Sequence, residues 1–407
     1  MTTSTTRADV VRQSLDAARA ELVEVSLDIH AHPELNYQEH HAAEALTRYL
    51  EGKGFVVERG VGGVETAFRA TVPGGSDGPT IAYLAEYDAL PDIGHGCGHN
   101  LLAISAVAAG LAEQAASGGL PGRIVVLGTP AEEGGGGKIR LLDAGVFADV
   151  DVALSSHPAS NQTVIQTDIP AGESWSLAMV GYRYEFIGRA AHAAVAPHAG
   201  INALNAVIHL FTGIDALRQH LRDDVRIHGV ISDGGKAPNV VPEFAAANFM
   251  IRSRDAVYLK EIAQQVNRVA EGAALMTGAT LKIEPYYPFY ENVVPNAVLA
   301  RLAVEAAPLA GLDIVTPSGP RQGGASTDFG NVSQVLPSFA ISFAVSETPV
   351  AAHTPGMTRA ATTELAHRNA IATGGTLALI AAQLRERPEL LDAARAEFAA
   401  RTGRKEA

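Results

Sequence analysis

Thr80-Ile81-Ala82-Tyr83-Leu84-Ala85-Glu86-Tyr87-Asp88-Ala89-Leu90-Pro91-Asp92-Ile93-Gly94-His95-Gly96-Cys97-Gly98-His99-Asn100 is the stretch that decides the fold. Thr80 to Leu84 is a short apolar run that reads as a strand. Two acids follow, then a glycine-rich turn, then an apolar helix from about Asn100 to Ala116. The turn carries the only cysteine of the chain, set between two histidines at alternate positions. A thiol, two imidazoles and two carboxylates at a strand end are the donors a transition metal needs. The glycines leave the backbone free to turn, so these donors can converge.

Working outward, strands and helices alternate on both sides. Helices are expected at Val10–Ile29 and His41–Leu50, and strands at Phe55–Val57 and Ala67–Val72. Arg123–Leu127 reads as a buried-type strand leading through a glycine run into a helix near Ile139–Asp143. Val150–Leu154 is a further strand, ending in Ser155-Ser156-His157-Pro158. This order predicts an α/β fold with a mixed, mostly parallel sheet flanked by helices, whose strand ends are where ligands bind. Near Glu173 the pattern changes to strand Leu177–Ile187, helix Asn202–Leu217, strands Val225–Ile231 and Phe244–Ile251, helix Tyr258–Ala274 and strand Ala279–Pro285. That β-α-β-β-α-β order predicts an inserted two-layer, ferredoxin-like α+β domain. Helix Ala297–Ala310, strand Ser338–Phe343 and a long last helix Thr362–Leu384 then return to the first pattern. The expected organisation is a discontinuous metal-binding domain, 1–175 and 290–407, around an inserted domain, 176–289.

The bulk properties narrow the function. The chain has 407 residues, 47% hydrophobic and 18% charged, and a net charge of −13. Such a chain is long enough for two cores and is composed like a globular protein. The acidic balance argues against nucleic acid or an anionic membrane as partner. No run is long and apolar enough to span a bilayer, and the polar stretch Met1–Arg12 lacks the apolar core of a signal peptide, so the cytoplasm is the default compartment. The polar tail beyond about Arg401 is expected to fray. A single cysteine forms no internal disulfide and is a buried filler, a reactive thiol or a ligand.

Four groups of residues carry the candidate chemistry. Cys97 and His99 share the glycine turn, and His95 lies beside them, though alternate positions need not all face one site. Glu132 and Glu133 follow an apolar strand; adjacent acids at a helix start are ordinarily solvated, but at a strand end one can bind metal while the other moves a proton. His157 ends the next strand. His353 lies between the Phe343 strand and the last helix, in Ala352-His353-Thr354-Pro355-Gly356. Cys97, His99, Glu133, His157 and His353 are too many ligands for one tetrahedral zinc. They fit two metals with a shared ligand, and Asp88 reads as a carboxylate orienting a ligating histidine. Structural zinc sites draw on ligands clustered in sequence, whereas these come from separate strand ends.

In these motifs the chain resembles the dinuclear metallopeptidase family of aminoacylase, bacterial glutamate carboxypeptidase and the indole-acetyl-amino-acid amidohydrolases, peptidase family M20. Within it, the chain is similar to the branch that holds p-aminobenzoyl-glutamate hydrolase subunits and β-alanyl-lysine-type dipeptidases. The match spans nearly the whole chain: His32-Pro33-Glu34, EYDALP (86–91), GHGCGHN (94–100), GTPAEEGGGGK (128–138), SSHP (155–158), GRAAHAA (188–194), APNVVP (237–242), STDFGN (326–331) and AHTPGM (352–357). The resemblance implies that Cys97 stands where most of the family has a bridging aspartate. It implies that His99, Glu133, His157 and His353 are the remaining metal ligands, Glu132 the general base and acid, and Asp88 the supporting acid. It implies that His192 crosses a homodimer interface to hold the tetrahedral intermediate, and that Asn239 and Arg252 (or nearby Arg254) lie near the substrate carboxylate. Taken alone, these inserted-domain residues read as surface or turn positions.

The implied activity is hydrolysis of the amide bond of N-acyl or N-aminoacyl amino acids, through two divalent ions, with zinc named first and manganese, cobalt or nickel as alternatives. The partners expected are a small amide or dipeptide substrate and a second copy of the chain, with the inserted domain serving for dimerisation and as a lid. Glu86 departs from the family, standing where a metal-binding histidine is familiar; Asn100 and Thr327 depart as well. A competing reading is a non-catalytic or partner-dependent member of a two-subunit amidohydrolase, against which the intact Glu132-Glu133 pair and full ligand set argue.

Overall fold

Residues 5–75, 77–317 and 324–404 are described by a computed structural model. Residues 1–4 and 405–407, the outer parts of the polar N-terminal stretch and of the tail expected to fray, lie outside the described residues. The chain divides into two compact units. Unit 1 is Met1–Gly172, Val294–Arg321 and Asn331–Ala407; unit 2 is Glu173–Val293 and Gln322–Gly330.

Unit 1 opens with helices α1 (Arg7–Ala31) and α2 (His40–Gly52) and strands β1 (Val56–Arg59), β2 (Phe68–Thr71) and β3 (Thr80–Ala85). Helix α3 (His99–Ala116), strand β4 (Arg123–Gly128), helix α4 (Gly137–Asp143) and strand β5 (Val152–Ala159) follow. Unit 2 contains β6 (Ala178–Ile187), α5 (Ala203–Arg218), β7 (Arg226–Asp233), β8 (Phe244–Ser253), α6 (Ala256–Thr277) and β9 (Thr280–Tyr290). The chain closes with α7 (Ala297–Ala306), the short α8 (Phe329–Ser333), β10 (Ser338–Ala344), α9 (Pro355–Ala360), α10 (Glu364–Glu386) and α11 (Pro388–Thr402).

The unit 1 sheet runs β1-β2-β4-β3-β5-β10. β3, β4, β5 and β10 are mutually parallel, while β2 pairs antiparallel with both β1 and β4. This is the mixed, mostly parallel sheet the sequence implies. Every residue of β3 is buried, as expected for a central strand covered on both faces. α3 is buried almost all round and packs between α1 and α10. Its approach to α10 requires a glycine: a Cβ on Gly374 would stand 2.6 Å from the Ser105 carbonyl oxygen. A buried ion pair ties the far end of α3 to α10. Arg385 Nε donates to Glu113 Oε1 at 2.6 Å, and Tyr83 donates its hydroxyl to Glu113 Oε2 at 2.7 Å.

Unit 2 has a four-stranded antiparallel sheet, β7-β8-β6-β9, with α5 and α6 on one face. The ferredoxin-like expectation holds. Its core is separate and includes Tyr184, Phe186, Phe249, Leu210 and Ile262.

Two local expectations need correction. α10 is not the last helix: Pro388, which cannot continue α10, starts α11 instead. β5 does not stop at Leu154 but runs to Ala159, because β10 pairs with it out to Ala159↔Ala344. His157 therefore projects from within a strand, opposite Ser342, rather than from a following loop.

Candidate metal centre

Two segments after parallel strands of unit 1, one residue within a third strand and one late loop bring the site together. Glu86 and Asp88 leave the end of β3. The chain then folds through a Leu90↔Gly94 bridge and reaches Cys97, and Gly98, at φ 76, turns it into α3 with His99 as the first helical residue. After β4 come Ala131, Glu132 and Glu133, and His157 projects from β5. His353 precedes α9, and its backbone N–H donates to the Gly96 carbonyl at 2.8 Å, stitching its loop to the cysteine turn.

Asp88 organises the centre. Its Oδ1 is 2.9 Å from His99 Nδ1 and its Oδ2 accepts the Glu133 N–H at 2.8 Å. With Nδ1 thus engaged, His99 presents Nε2, a fully buried nitrogen that makes no hydrogen bond. Burial opposes charge on His99, but the Asp88 carboxylate outweighs it and pushes the pKa well up. Burial likewise opposes the Asp88 carboxylate, yet His99 and the Glu133 N–H hold it below its ordinary value. A proton on Nε2 here stands where a metal would bind. His157 is arranged the same way: Nδ1 is 2.7 Å from the Pro158 carbonyl oxygen, and Nε2 is 3.5 Å from Cys97 Sγ. Burial lowers its pKa and favours the neutral, ligating ring. Burial and then the Glu133 carboxylate push the Cys97 thiol up, so it becomes a thiolate only against a cation. Glu133 Oε1, buried and without a hydrogen bond, lies 3.3 Å from His353 Nε2.

The donor atoms form two groups, Cys97–His99–His157 and Cys97–Glu133–His353, each with all atoms within 4.8 Å of one another. They share Cys97. A third group joins Glu86, His99 and Glu132. Orphaned buried nitrogen and oxygen, a shared sulfur and paired imidazoles fit two divalent ions.

Residues around the donor set brace this arrangement. Ala131 and His353 both have left-handed backbones, φ 60 and φ 58, which cost a side-chain-bearing residue energy unless something holds them. Glu39 holds Ala131: its Oε1 accepts the Ala131 N–H at 2.9 Å, and Oε2 accepts the Thr66 hydroxyl at 3.0 Å. Burial, then the Asp88 carboxylate, raise Glu39 from 4.5 to about 7. Asn36 donates to the Glu133 carbonyl at 2.8 Å and Tyr37 to the Gly135 carbonyl at 2.6 Å. Glu34, in the His32-Pro33-Glu34 motif, accepts first-turn N–H groups of α2. His95 turns away, with Nε2 3.1 Å from the Ile29 carbonyl oxygen and burial pushing its pKa to about 3. It belongs to the core.

The remaining expected residues lie in unit 2. His192 and Asn239 are neighbours: His192 bridges Val240, and the Ala193 N–H donates to the Asn239 carbonyl at 3.0 Å. Both side chains are exposed. Arg252, half-buried on β8, donates to Ser326 Oγ at 3.0 Å, which ties it to the STDFGN segment. The Arg254 backbone N–H instead donates to Asp224.

Comparison with known proteins gives a consistent picture. Residues 178–275 match the model of a peptidase dimerisation domain. A Xaa-Arg dipeptidase from Mus musculus is 36% identical, over 95% of this chain and 90% of its own length. A p-aminobenzoyl-glutamate hydrolase subunit from Escherichia coli is also 36% identical, over 73% of this chain and 64% of its own length. Among solved structures, a dinuclear metal-binding peptidase of the M20 family from Bacillus subtilis shares the fold. It has a TM-score of 0.69 at 21% identity and covers 91% of this chain and 99% of its own.

Proposed function

Because the chain belongs to the M20 peptidase family and is a hydrolase of amide bonds, we propose that it releases an amino acid from its N-acyl or N-aminoacyl derivative. The observation that carries this reading is the sharing of Cys97 by two donor groups, with His99 and His157 on one side and Glu133 and His353 on the other. Zinc suits such a mixture of sulfur, imidazole and carboxylate, with manganese, cobalt and nickel as alternatives. When bound, two divalent ions supply polarisation of the scissile carbonyl and acidification of a water.

The chain's own residues do the rest. Glu132 takes a proton from the attacking water and delivers it to the leaving nitrogen. Its carboxylate is buried beside His99 and Glu86, which supports a proton carrier over a solvated acid. Asp88 fixes the His99 tautomer. Asn239 and Arg252 take the free carboxylate of the substrate, and His192, reaching across a homodimer, donates to the carbonyl oxygen as charge develops. The dimerisation-domain match supports a dimer, and unit 2 also serves as the lid that excludes water. A single cysteine, with no internal disulfide to keep oxidised, suits the reducing setting of the cytoplasm. Among the described residues, no helix is long and apolar enough to cross a membrane.

The test is metal analysis of the purified chain, followed by a hydrolysis screen of that chain alone. N-acyl amino acids, Xaa-Arg and β-alanyl dipeptides and p-aminobenzoyl-glutamate are the substrates to compare. Chelator-sensitive hydrolysis restored by zinc is the expected result. A metal-loaded chain that cleaves none of these without a second protein would overturn the reading.

A further inference from the structure

Lys138 is fully buried, and its Nζ lies 2.8 Å from Glu86 Oε1, itself buried. A lysine is rarely buried without a partner, and the positive end of a helix is a poor place for it; Lys138 sits in the first turn of α4. The fold goes to some length to put it there. The four glycines before it turn the chain sharply, with Gly134 and Gly136 at φ 101 and φ 66. A Cβ on Gly137 would stand 1.7 Å from the Pro130 carbonyl oxygen. Glu86 Oε2, meanwhile, makes no hydrogen bond and lies 3.6 Å from His99 Nε2.

We propose that the Glu86–Lys138 pair is a positioning element that holds Glu86 off the metals and sets the charge of the centre for two dications. This rests on the two-metal reading above. Glu86, Asp88, Glu132, Glu133 and a Cys97 thiolate place five negative charges around the centre, and the Lys138 ammonium reduces the net to four, which two dications cancel. Of the three donor groups, the one containing Glu86 already has a cation, the protein's own. Glu86 keeps one oxygen on that ammonium and turns the other toward the His99 position, where it acts through the field and not as a ligand.

The experiment is zinc affinity and stoichiometry of the full chain, by competition with a chromophoric chelator, for Glu86→Gln, Lys138→Met, their double variant and Cys97→Ala. Glu86→Gln removes one negative charge from beside the dications, so affinity falls about 10-fold or more, in the range of changes to residues behind metal ligands. Lys138→Met frees the Glu86 carboxylate to approach the His99 position, so affinity rises. The double variant, which keeps the net charge of wild type, returns to within about threefold of it, because the two changes are coupled. Glu86→Gln binding as tightly as wild type, or a double variant no better than Glu86→Gln, overturns the proposal. Should a single variant fail to fold, the double variant decides alone: near-wild-type affinity supports the pair, and a loss beyond tenfold sinks it. Cys97→Ala separates the two readings. Zinc uptake that is absent from wild type, or indifferent to Cys97, overturns the two-metal centre and the pair with it; Cys97-dependent uptake of two ions with no response to Glu86 overturns the pair only.

Discussion

Asp88 Oδ1 lies 2.9 Å from His99 Nδ1, with both side chains fully buried. The other oxygen of the same carboxylate accepts the Glu133 N–H, so one acid sets a ring on α3 and the loop after β4 together. Both neighbours are donors. A carboxylate accepts on both oxygens, whereas an asparagine has only one acceptor oxygen. Asp88→Asn therefore leaves either His99 or Glu133 facing an N–H and loses the charge that steers His99. Zinc affinity is expected to fall by about 10–100-fold, read by chelator competition, while circular dichroism shows a folded chain. Undiminished affinity would remove Asp88 from the centre.

Glu132 separates proton transfer from metal retention. It is buried, at 6% exposure, and it belongs to neither of the donor groups that share Cys97. Glu132→Gln keeps the shape and removes the base. Turnover is expected to drop by about 10²–10⁴-fold, the usual worth of a general base, with zinc content per chain unchanged. Loss of zinc in step with activity would make Glu132 a ligand and not a base.

What the sequence made legible here is chemistry placed at strand ends. Cys97, His99, Glu132 and Glu133 sit beside strands β3 and β4, whose apolar runs are plain, so topology alone brings them together. His353 was reachable because its residue type is rare in an otherwise small-residue loop. Glu39 and Lys138 were not legible. Glu39 takes its role from an N–H ninety-two positions away on Ala131, and Lys138, on α4, from a carboxylate just past the end of β3; neither carries a local signal that distinguishes it from a surface charge. The start of α11 was missed for a different reason. Pro388 reads as a stop, and only the following turn shows that it also begins a helix.

Glu39 gives a pH dependence with a definite sign. Its folded value is raised from 4.5 to about 7, first by burial. A raised carboxyl binds a proton in the folded state that the unfolded chain has already released. Folded stability is therefore full below about pH 4.5 and declines as pH rises to about 7, by on the order of 3 kcal/mol at most. Glu39→Gln preserves the acceptor for Ala131 and abolishes the titration. In metal-free protein the gap between wild type and Glu39→Gln, measured by urea unfolding at pH 5 and pH 8, is expected to shift toward the glutamine variant at the higher pH. Parallel profiles would show that Glu39 is not the buried acid it is taken to be.

His192 poses a question that activity alone cannot answer, because a residue acting across a dimer and one acting within its own chain lose the same turnover. His192→Ala is expected to cripple hydrolysis with zinc content and dimer mass unchanged, since the side chain is exposed and its ring accepts from the neighbouring Ala194 and Val195 N–H groups. Mixing decides the rest. In a hybrid of His192→Ala and Glu132→Gln chains, action across the dimer leaves one site with both an intact Glu132 and an intact His192. Random exchange of equal amounts in a two-fold dimer makes half the dimers hybrids, so about a quarter of wild-type activity returns. Action within one chain returns none, because every site then lacks one of the two residues. Recovery on mixing, absent when the chains are cross-linked as homodimers beforehand, is the expected outcome, and no recovery after confirmed exchange would confine His192 to its own protomer.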